Sequence, residues 1–160
     1  MRISSTFSSI RVAPALMFLV CSVCAAQSPS YSGVWKLNVE KSRWGQGTKP
    51  GNVVVVIDDR DGGMNYHGAV TYSSEDTRTF EFTGTFDGKQ YRVSRSFGDG
   101  YIMLRRVDAN TFDSVFHSDN GLYTETARTT LSRDGRTLTR KVTVRTPEGT
   151  QSCYEVYDRR

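Results

Sequence analysis

Three charged residues stand where an alternating, strand-like pattern places apolar side chains. Arg95, Glu125 and Arg140 each share the parity of neighbouring aromatic or aliphatic residues. Because successive side chains of a β-strand point to opposite faces, each charge lies on the apolar side of its strand. A charge in an apolar interior costs several kcal/mol unless it is paired. Two interpretations follow. In the structural one, each charge belongs to an Arg–Glu pair or reaches solvent from the end of its strand. In the functional one, the charges form a cluster that anchors a ligand in a cavity.

The last strand-like segment carries a further set of polar residues on one face. The same parity places Cys153, Glu155, Tyr157 and Arg159 together on its inward side. If Glu155 pairs with Arg95 or Arg140, the cluster is close to neutral. An unpaired Glu155 would instead favour a cationic ligand, or would stay protonated with a raised pKa. For Cys153 two interpretations stay open: a small buried apolar residue, or an exposed reactive thiol.

Catalytic chemistry has little support in these residue types. The only histidines, His67 and His117, fall on different strands without a second ligand at metal-binding spacing, so we expect no metal site and no cofactor. A haem barrel with one histidine as axial ligand is conceivable, but no further signature supports it. Ser114 lacks a nucleophile-elbow motif. Glu125 and Glu155 could form an acid–base pair, but parity gives no separation for them. We therefore expect no enzyme and no catalytic residues.

The elements that position these residues are set by glycine turns. Asp-Gly and Asn-Gly pairs favour tight hairpin turns, because these residues tolerate positive φ. The closures after residue 50 are Asp61-Gly62-Gly63, Asp87-Gly88, Asp99-Gly100, Asn120-Gly121, Asp134-Gly135 and Pro147-Glu148-Gly149. Residues 34–37 and the β-branched run at residues 53–57 predict the first two strands. The remaining segments follow the turns and predict strands at residues 64–73, 77–86, 90–97, 101–107, 111–118, 122–132, 136–146 and 150–158. No segment shows a helical period.

Alternation along these segments predicts one apolar face. Its members are Phe80, Phe82, Tyr91, Val93, Phe97, Phe112, Phe116, Leu138, Val142 and Val144. The opposite faces are mostly polar, which is typical of an antiparallel sheet with one buried side. A meander of this length must close on itself or leave exposed edges. The expected fold is all-β: a single closed antiparallel up-and-down barrel of about 8–10 strands.

The first 26 residues resemble a secretory signal peptide. Arg2 and Arg11 precede or border a short apolar run, and Cys24-Ala25-Ala26 supplies small residues for cleavage. The apolar run is shorter than the roughly 20 residues of a membrane span, although an uncleaved anchor helix is the alternative. We expect residues 27–160 to be a periplasmic or secreted barrel domain with no membrane span after cleavage. Cys153 is then its only cysteine, so no internal disulfide is expected.

Charge bounds the partners of this domain. The formal net charge of the chain is +4, and two of its arginines lie in the predicted signal peptide. The remaining Lys and Arg residues are spread along strands and turns. A nucleic-acid interface needs a basic patch or stripe, so no nucleic-acid partner is expected. We expect a monomer.

Two short motifs resemble the ends of a known type of barrel. Gly33-Val34-Trp35 opens the first strand, and Val156-Tyr157-Asp158-Arg159 closes the last. The chain thereby resembles the calycins, the lipocalins and fatty-acid-binding proteins, and is similar to small bacterial secreted lipocalin-like proteins. The resemblance implies a barrel floor formed by Gly33, Trp35 and Arg159, with the guanidinium on the indole face. Such a cation–π contact contributes about 0.5–2 kcal/mol.

Two departures from that resemblance bear on function. Fatty-acid-binding proteins carry an arginine two residues before the last-strand tyrosine, and this pair holds the ligand carboxylate. Here Tyr157 matches but Glu155 stands in place of the arginine. The family's two lid helices lie between the first strands, where this chain has only residues 38–51, rich in Gly and Pro. No lid helices are expected, which predicts either a more open mouth or a narrow, filled interior.

We therefore expect non-catalytic binding of a small apolar or amphipathic molecule inside the barrel. The predicted anchors are Arg95, Glu125, Arg140, Glu155 and Tyr157, and the predicted apolar wall is Tyr91, Phe97, Phe112 and Phe116. The alternative is a protein-interaction or inhibitor module that uses the barrel loops and rim, in particular loop 38–51 with Lys41, Arg43 and Trp44. A filled interior together with an exposed Trp44 would favour that alternative.

Overall fold

Ten antiparallel strands form one closed barrel. The computed structural model describes residues 30–45, 47–60 and 62–160; the predicted signal peptide, with Cys21 and Cys24, lies outside them. The strands are β1 Gly33–Leu37, β2 Asn52–Arg60, β3 Gly63–Thr71, β4 Thr77–Thr85, β5 Asp87–Arg95, β6 Gly100–Asp108, β7 Thr111–Ser118, β8 Thr124–Leu131, β9 Thr137–Thr146 and β10 Gly149–Arg159. Each pairs with its neighbours in sequence, and β1 also pairs with β10. The predicted closed up-and-down barrel is confirmed.

One predicted turn lies slightly off its expected position. Between β5 and β6 the residue with left-handed backbone is Gly98, whose φ is 116°, and Gly100 already belongs to β6. Gly100 is required for a different reason. A Cβ built there would lie 2.1 Å from the carbonyl oxygen of His117 on β7 and would also meet the Phe116 ring. The glycine therefore permits a close approach of two strands rather than a turn.

One end of the barrel is closed by the first strand and the chain's C-terminal residues. Trp35 is fully buried, and its indole Nε1 donates to the Tyr31 carbonyl over 2.9 Å. The Arg159 guanidinium lies over this ring, with Cζ 4.4 Å from the centroid. Its Nη1 also donates to the Ser32 carbonyl, at 2.6 Å. Gly33 leaves room for this arrangement, because a Cβ there would lie 3.2 Å from Arg159 Nη1. We call this the floor of the barrel.

The connection between β1 and β2 completes the wall at the other end. Its described residues form turns, bends and one isolated bridge, and no helix. β1 pairs with β10 only as far as Tyr157. Beyond that point Arg43 exchanges two backbone hydrogen bonds with Tyr154, and Ser42 Oγ accepts from the Val156 amide. The loop therefore lies along the edge of β10 that β1 leaves unpaired, and it carries Trp44 to the inside of the barrel.

Candidate functional site

The interior of the barrel contains a cavity of about 860 Å³. This volume falls in the range of small-molecule sites, about 300–1,000 Å³. Besides the strands, it is lined by Trp44 of the β1–β2 loop and by three turns at the end opposite the floor. Those turns carry exposed apolar residues at the opening: Tyr72, Phe97 and Leu122, exposed by 37%, 42% and 57%. The sequence left two alternatives for the barrel, a more open mouth or a narrow, filled interior, and the structure has the open mouth with a cavity behind it.

Three charged residues from adjacent strands meet on one wall of this cavity. Arg140 on β9 donates through Nη1 to Glu155 Oε2 and through Nη2 to Glu125 Oε1, both over 2.8 Å. Their side chains are only 13–26% exposed. Burial alone would lower the pKa of Arg140, but the two carboxylates outweigh it and hold that pKa well above its ordinary value. The guanidinium is therefore a permanent cation between two acceptors.

Two tyrosines complete the hydrogen bonding of these carboxylates. Tyr123 donates to Glu125 Oε2 and Tyr157 donates to Glu155 Oε2, each over 3.0 Å. Burial and the neighbouring carboxylate raise the pKa of both phenols, so they stay neutral and act as donors. The wall thus holds paired and hydrogen-bonded charges, which is the condition for keeping charges in a low-dielectric interior.

Cys153 lies next to this group. Its Sγ is 3.8 Å from Glu155 Oε1, a weak thiol–carboxylate contact. Burial, together with the charge of Glu155, raises the pKa of the thiol to about 12. The thiolate is the nucleophilic form of cysteine. Cys153 is therefore half-buried and protonated, which favours the unreactive of the two interpretations.

Arg95 lies nearer the mouth and is held mainly by aromatic rings. Its Cζ is 4.1 Å from the ring centroid of Phe97 and 4.2 Å from that of Phe116, with Tyr123 at 5.1 Å. Its Nε donates to the Gly98 carbonyl over 2.7 Å. Among the described residues no carboxylate lies within ion-pair distance of its guanidinium. Burial accordingly lowers the pKa of Arg95 from its usual value.

The wall facing the charged group is apolar. Its residues come from β2 to β6: Val53, Val55, Ile57, Met64, Tyr66, Val70, Phe80, Phe82, Val93, Ile102 and Leu104. Arg78 on β4 and Arg95 on β5 add charges to it only at the mouth. Tyr66 stacks on Phe80 and Phe82, with centroids 5.6 and 5.1 Å apart. Gly68 makes room for this stack, since a Cβ there would overlap the Phe80 ring. The cavity therefore has two unlike sides, one polar and one aromatic and aliphatic.

Most predicted site residues line this cavity: Arg95, Glu125, Arg140, Glu155, Tyr157, Phe97, Phe112 and Phe116. Tyr91 does not. Its ring packs where a Gly84 Cβ would be, and its hydroxyl is 2.6 Å from Thr85 Oγ1. Phe97 is placed differently from its prediction, since β5 ends at Arg95 and the ring stands on the rim. Tyr66 and Arg78 line the cavity without having been predicted as site residues, and so does Trp44, which was predicted only as a loop residue of the interaction alternative. Parity relative to Met64 and Phe80 could have found the first two.

The described residues show neither a cluster of potential metal ligands nor a helix that could span a membrane. In residues 30–45, 47–60 and 62–160, no group of three or more potential metal ligands occurs. His67 is exposed and 3.1 Å from Glu81 on the outer surface. Across the same part of the chain, no helix is long and apolar enough to cross a membrane.

Neither a protein-family model nor a curated protein matches the chain. The architecture is compatible with a calycin-like fold.

Proposed function

We propose that this protein binds a small apolar or amphipathic molecule inside its barrel without chemically changing it. The observation that carries the proposal is the cavity of about 860 Å³ with one hydrogen-bonded polar wall and one apolar wall. Ligand sites combine a mostly apolar lining with a few placed polar groups that fix orientation. We further propose that the chain is a lipocalin-like member of the calycins, exported through its first 26 residues and acting as a monomer in the periplasm or outside the cell.

The interaction-module alternative receives less support from the same cavity. That alternative requires a filled interior together with an exposed Trp44. Instead the interior is open, and Trp44 packs against the core with its indole Nε1 buried. No acceptor for that Nε1 is found among the described residues. Its position on the cavity side of the loop fits a wall residue better than a protein-binding hot spot.

A pair of valine substitutions tests the proposal. Val70 lines the cavity, whereas Val56 points outward and is 45% exposed. Val70→Trp fills the space that a ligand would occupy, so we expect it to weaken binding of decanol by at least about tenfold. Val56→Trp adds the same side chain outside the barrel and should bind like the wild type. Isothermal titration calorimetry measures both affinities.

Thermal unfolding of both variants controls for loss of the fold, because added volume in a packed interior also destabilises. A folded Val70→Trp protein that binds decanol as tightly as the Val56→Trp protein would contradict binding inside the barrel. So would a wild-type protein that binds neither decanol nor the other amphiphiles used below.

A further inference from the structure

The charged residues of the cavity alternate in sign from the mouth inward. We call Arg95, Glu125, Arg140 and Glu155 the charge row. Tyr123 joins the first two, because its ring lies against the Arg95 guanidinium and its hydroxyl donates to Glu125. Arg140 then bridges Glu125 and Glu155. Glu125 and Arg140 each have an oppositely charged neighbour on both sides. Glu155, at the inner end of the row, has an oppositely charged neighbour, Arg140, on one side only.

Glu155 also has one oxygen with a poor partner. Its Oε2 accepts from Arg140 Nη1 and from the Tyr157 hydroxyl. Its Oε1 has Cys153 Sγ at 3.8 Å as its contact, and a thiol is a weak donor. Charge-assisted hydrogen bonds to a carboxylate are the strong ones. The row therefore ends on the cavity wall at an acceptor that a cationic donor would satisfy better than the thiol does.

The inner part of the cavity carries a net negative charge, because Arg140 there meets both Glu125 and Glu155. The described lining as a whole carries five carboxylates and three guanidiniums, but the outer acids are already paired: Asp76 with Arg78, and Asp99 and Asp119 with Arg92 outside the lining. The carboxylates are Asp76, Asp99, Asp119, Glu125 and Glu155; the guanidiniums are Arg78, Arg95 and Arg140. Aromatic faces, which attract cations, make up much of the remaining lining. Arg78 and Arg95 already lie over such rings at the mouth.

From this arrangement we infer that the ligand is an amphipathic amine. Its ammonium group binds Glu155 Oε1 beside Cys153 and continues the alternation of the charge row. Its apolar part lies along the wall formed by β2 to β6 and extends toward Met64 and Leu104 near the floor. The inference rests on the proposed function, since it names the class of molecule that the same cavity takes.

Three matched probes test the inference: decylamine, decanol and decanoic acid at neutral pH, each titrated calorimetrically into the wild-type protein. We expect the amine to bind about tenfold more tightly than the alcohol, because it gains a charge-assisted hydrogen bond. The acid should bind most weakly, since its carboxylate cannot approach that of Glu155. Tightest binding of the acid would instead identify Arg95, which has no carboxylate of the described residues within ion-pair distance, as the anchor. Equal affinities, or tightest binding of the acid, would overturn the inference and leave the proposed function standing. Binding of none of the probes would overturn both.

Two variants locate the amine on Glu155. Glu155→Gln keeps the shape of the side chain but removes its charge, so the ratio of amine to alcohol affinity should fall to near one. Cys153→Ser places a stronger donor at Oε1 that competes with the ammonium, so the ratio should fall several-fold. Glu81→Gln, which removes an exposed carboxylate from the outer surface, is the matched control and should keep the wild-type ratio. Should Glu155→Gln fail to fold, an unchanged ratio in Cys153→Ser would by itself overturn the inference.

Discussion

Arg140 and its two glutamates show how one residue determines the chemistry of a barrel wall. Each of the two carboxylates accepts both from the guanidinium and from a neutral tyrosine. Removing the arginine would leave two like charges facing each other in a low-dielectric interior, which costs several kcal/mol. The wall is thus held in one geometry by its own hydrogen bonds, and a ligand meets polar groups that are already ordered.

Cys153 offers a prediction at the same scale. Its thiol pKa is raised to about 12 by burial and by Glu155, so the thiolate fraction at neutral pH is far smaller than for an ordinary cysteine. We expect native protein to react with iodoacetamide at least about tenfold more slowly than urea-unfolded protein. Mass spectrometry of timed samples follows the alkylation. Similar rates in the two states would show that Cys153 is an exposed, ionising thiol after all.

At the scale of elements, strand register decides what parity alone leaves open. Alternation correctly assigned Glu125, Arg140 and Glu155 to the inside, and all ten strands lie close to their predicted positions. Which charge meets which depends on pairing between strands: Arg140 is directly opposite Glu155, whereas Glu125 is opposite Val144. The alternation within a single segment does not show how far one strand is shifted along its neighbour. The sequence predicted the members of the site and offered Arg95 or Arg140 as the partner of Glu155, but only the strand register decides for Arg140.

The same limit explains why two predicted wall residues lie elsewhere. Tyr91 is on the predicted face, since Val93 two residues on lines the cavity, but its ring packs beside Gly84 and does not line the cavity. Phe97 falls on the turn beyond β5, because that strand ends at Arg95. Alternation predicts the face of a side chain, but neither its depth in the barrel nor the residue at which a strand ends.

A pair of glycine substitutions tests the element-scale argument. A Cβ at Gly100 would lie 2.1 Å from a backbone oxygen of β7, whereas one at Gly51 would make only ordinary contacts of 3.5 Å or more. We expect Gly100→Ala to lower the free energy of unfolding by about 1–3 kcal/mol. Gly51→Ala should change it by no more than about 0.5 kcal/mol. Urea unfolding measures both, and equal stabilities of the two variants would contradict the close approach of β6 and β7.

At the scale of the whole molecule, the barrel separates a closed end from an open one. Trp35 and Arg159 close the floor, while the loop with Trp44 and three turns surround the mouth. The two tryptophans thus mark the two ends of the cavity, and both belong to its lining. A molecule that enters fully must come close to Trp35, whereas a molecule held on the rim comes close to Trp44 alone.

This placement gives the most direct test of binding inside the barrel. In a Trp44→Phe variant, Trp35 is the only tryptophan of the chain, and its fluorescence reports on the floor. A long-chain alcohol that carries bromine at its apolar end quenches indole emission on close contact. We predict that titration with this alcohol quenches Trp35 in a saturable manner, and that excess decanol restores the emission. Binding of the alcohol, measured by calorimetry, with unchanged Trp35 emission would contradict the account.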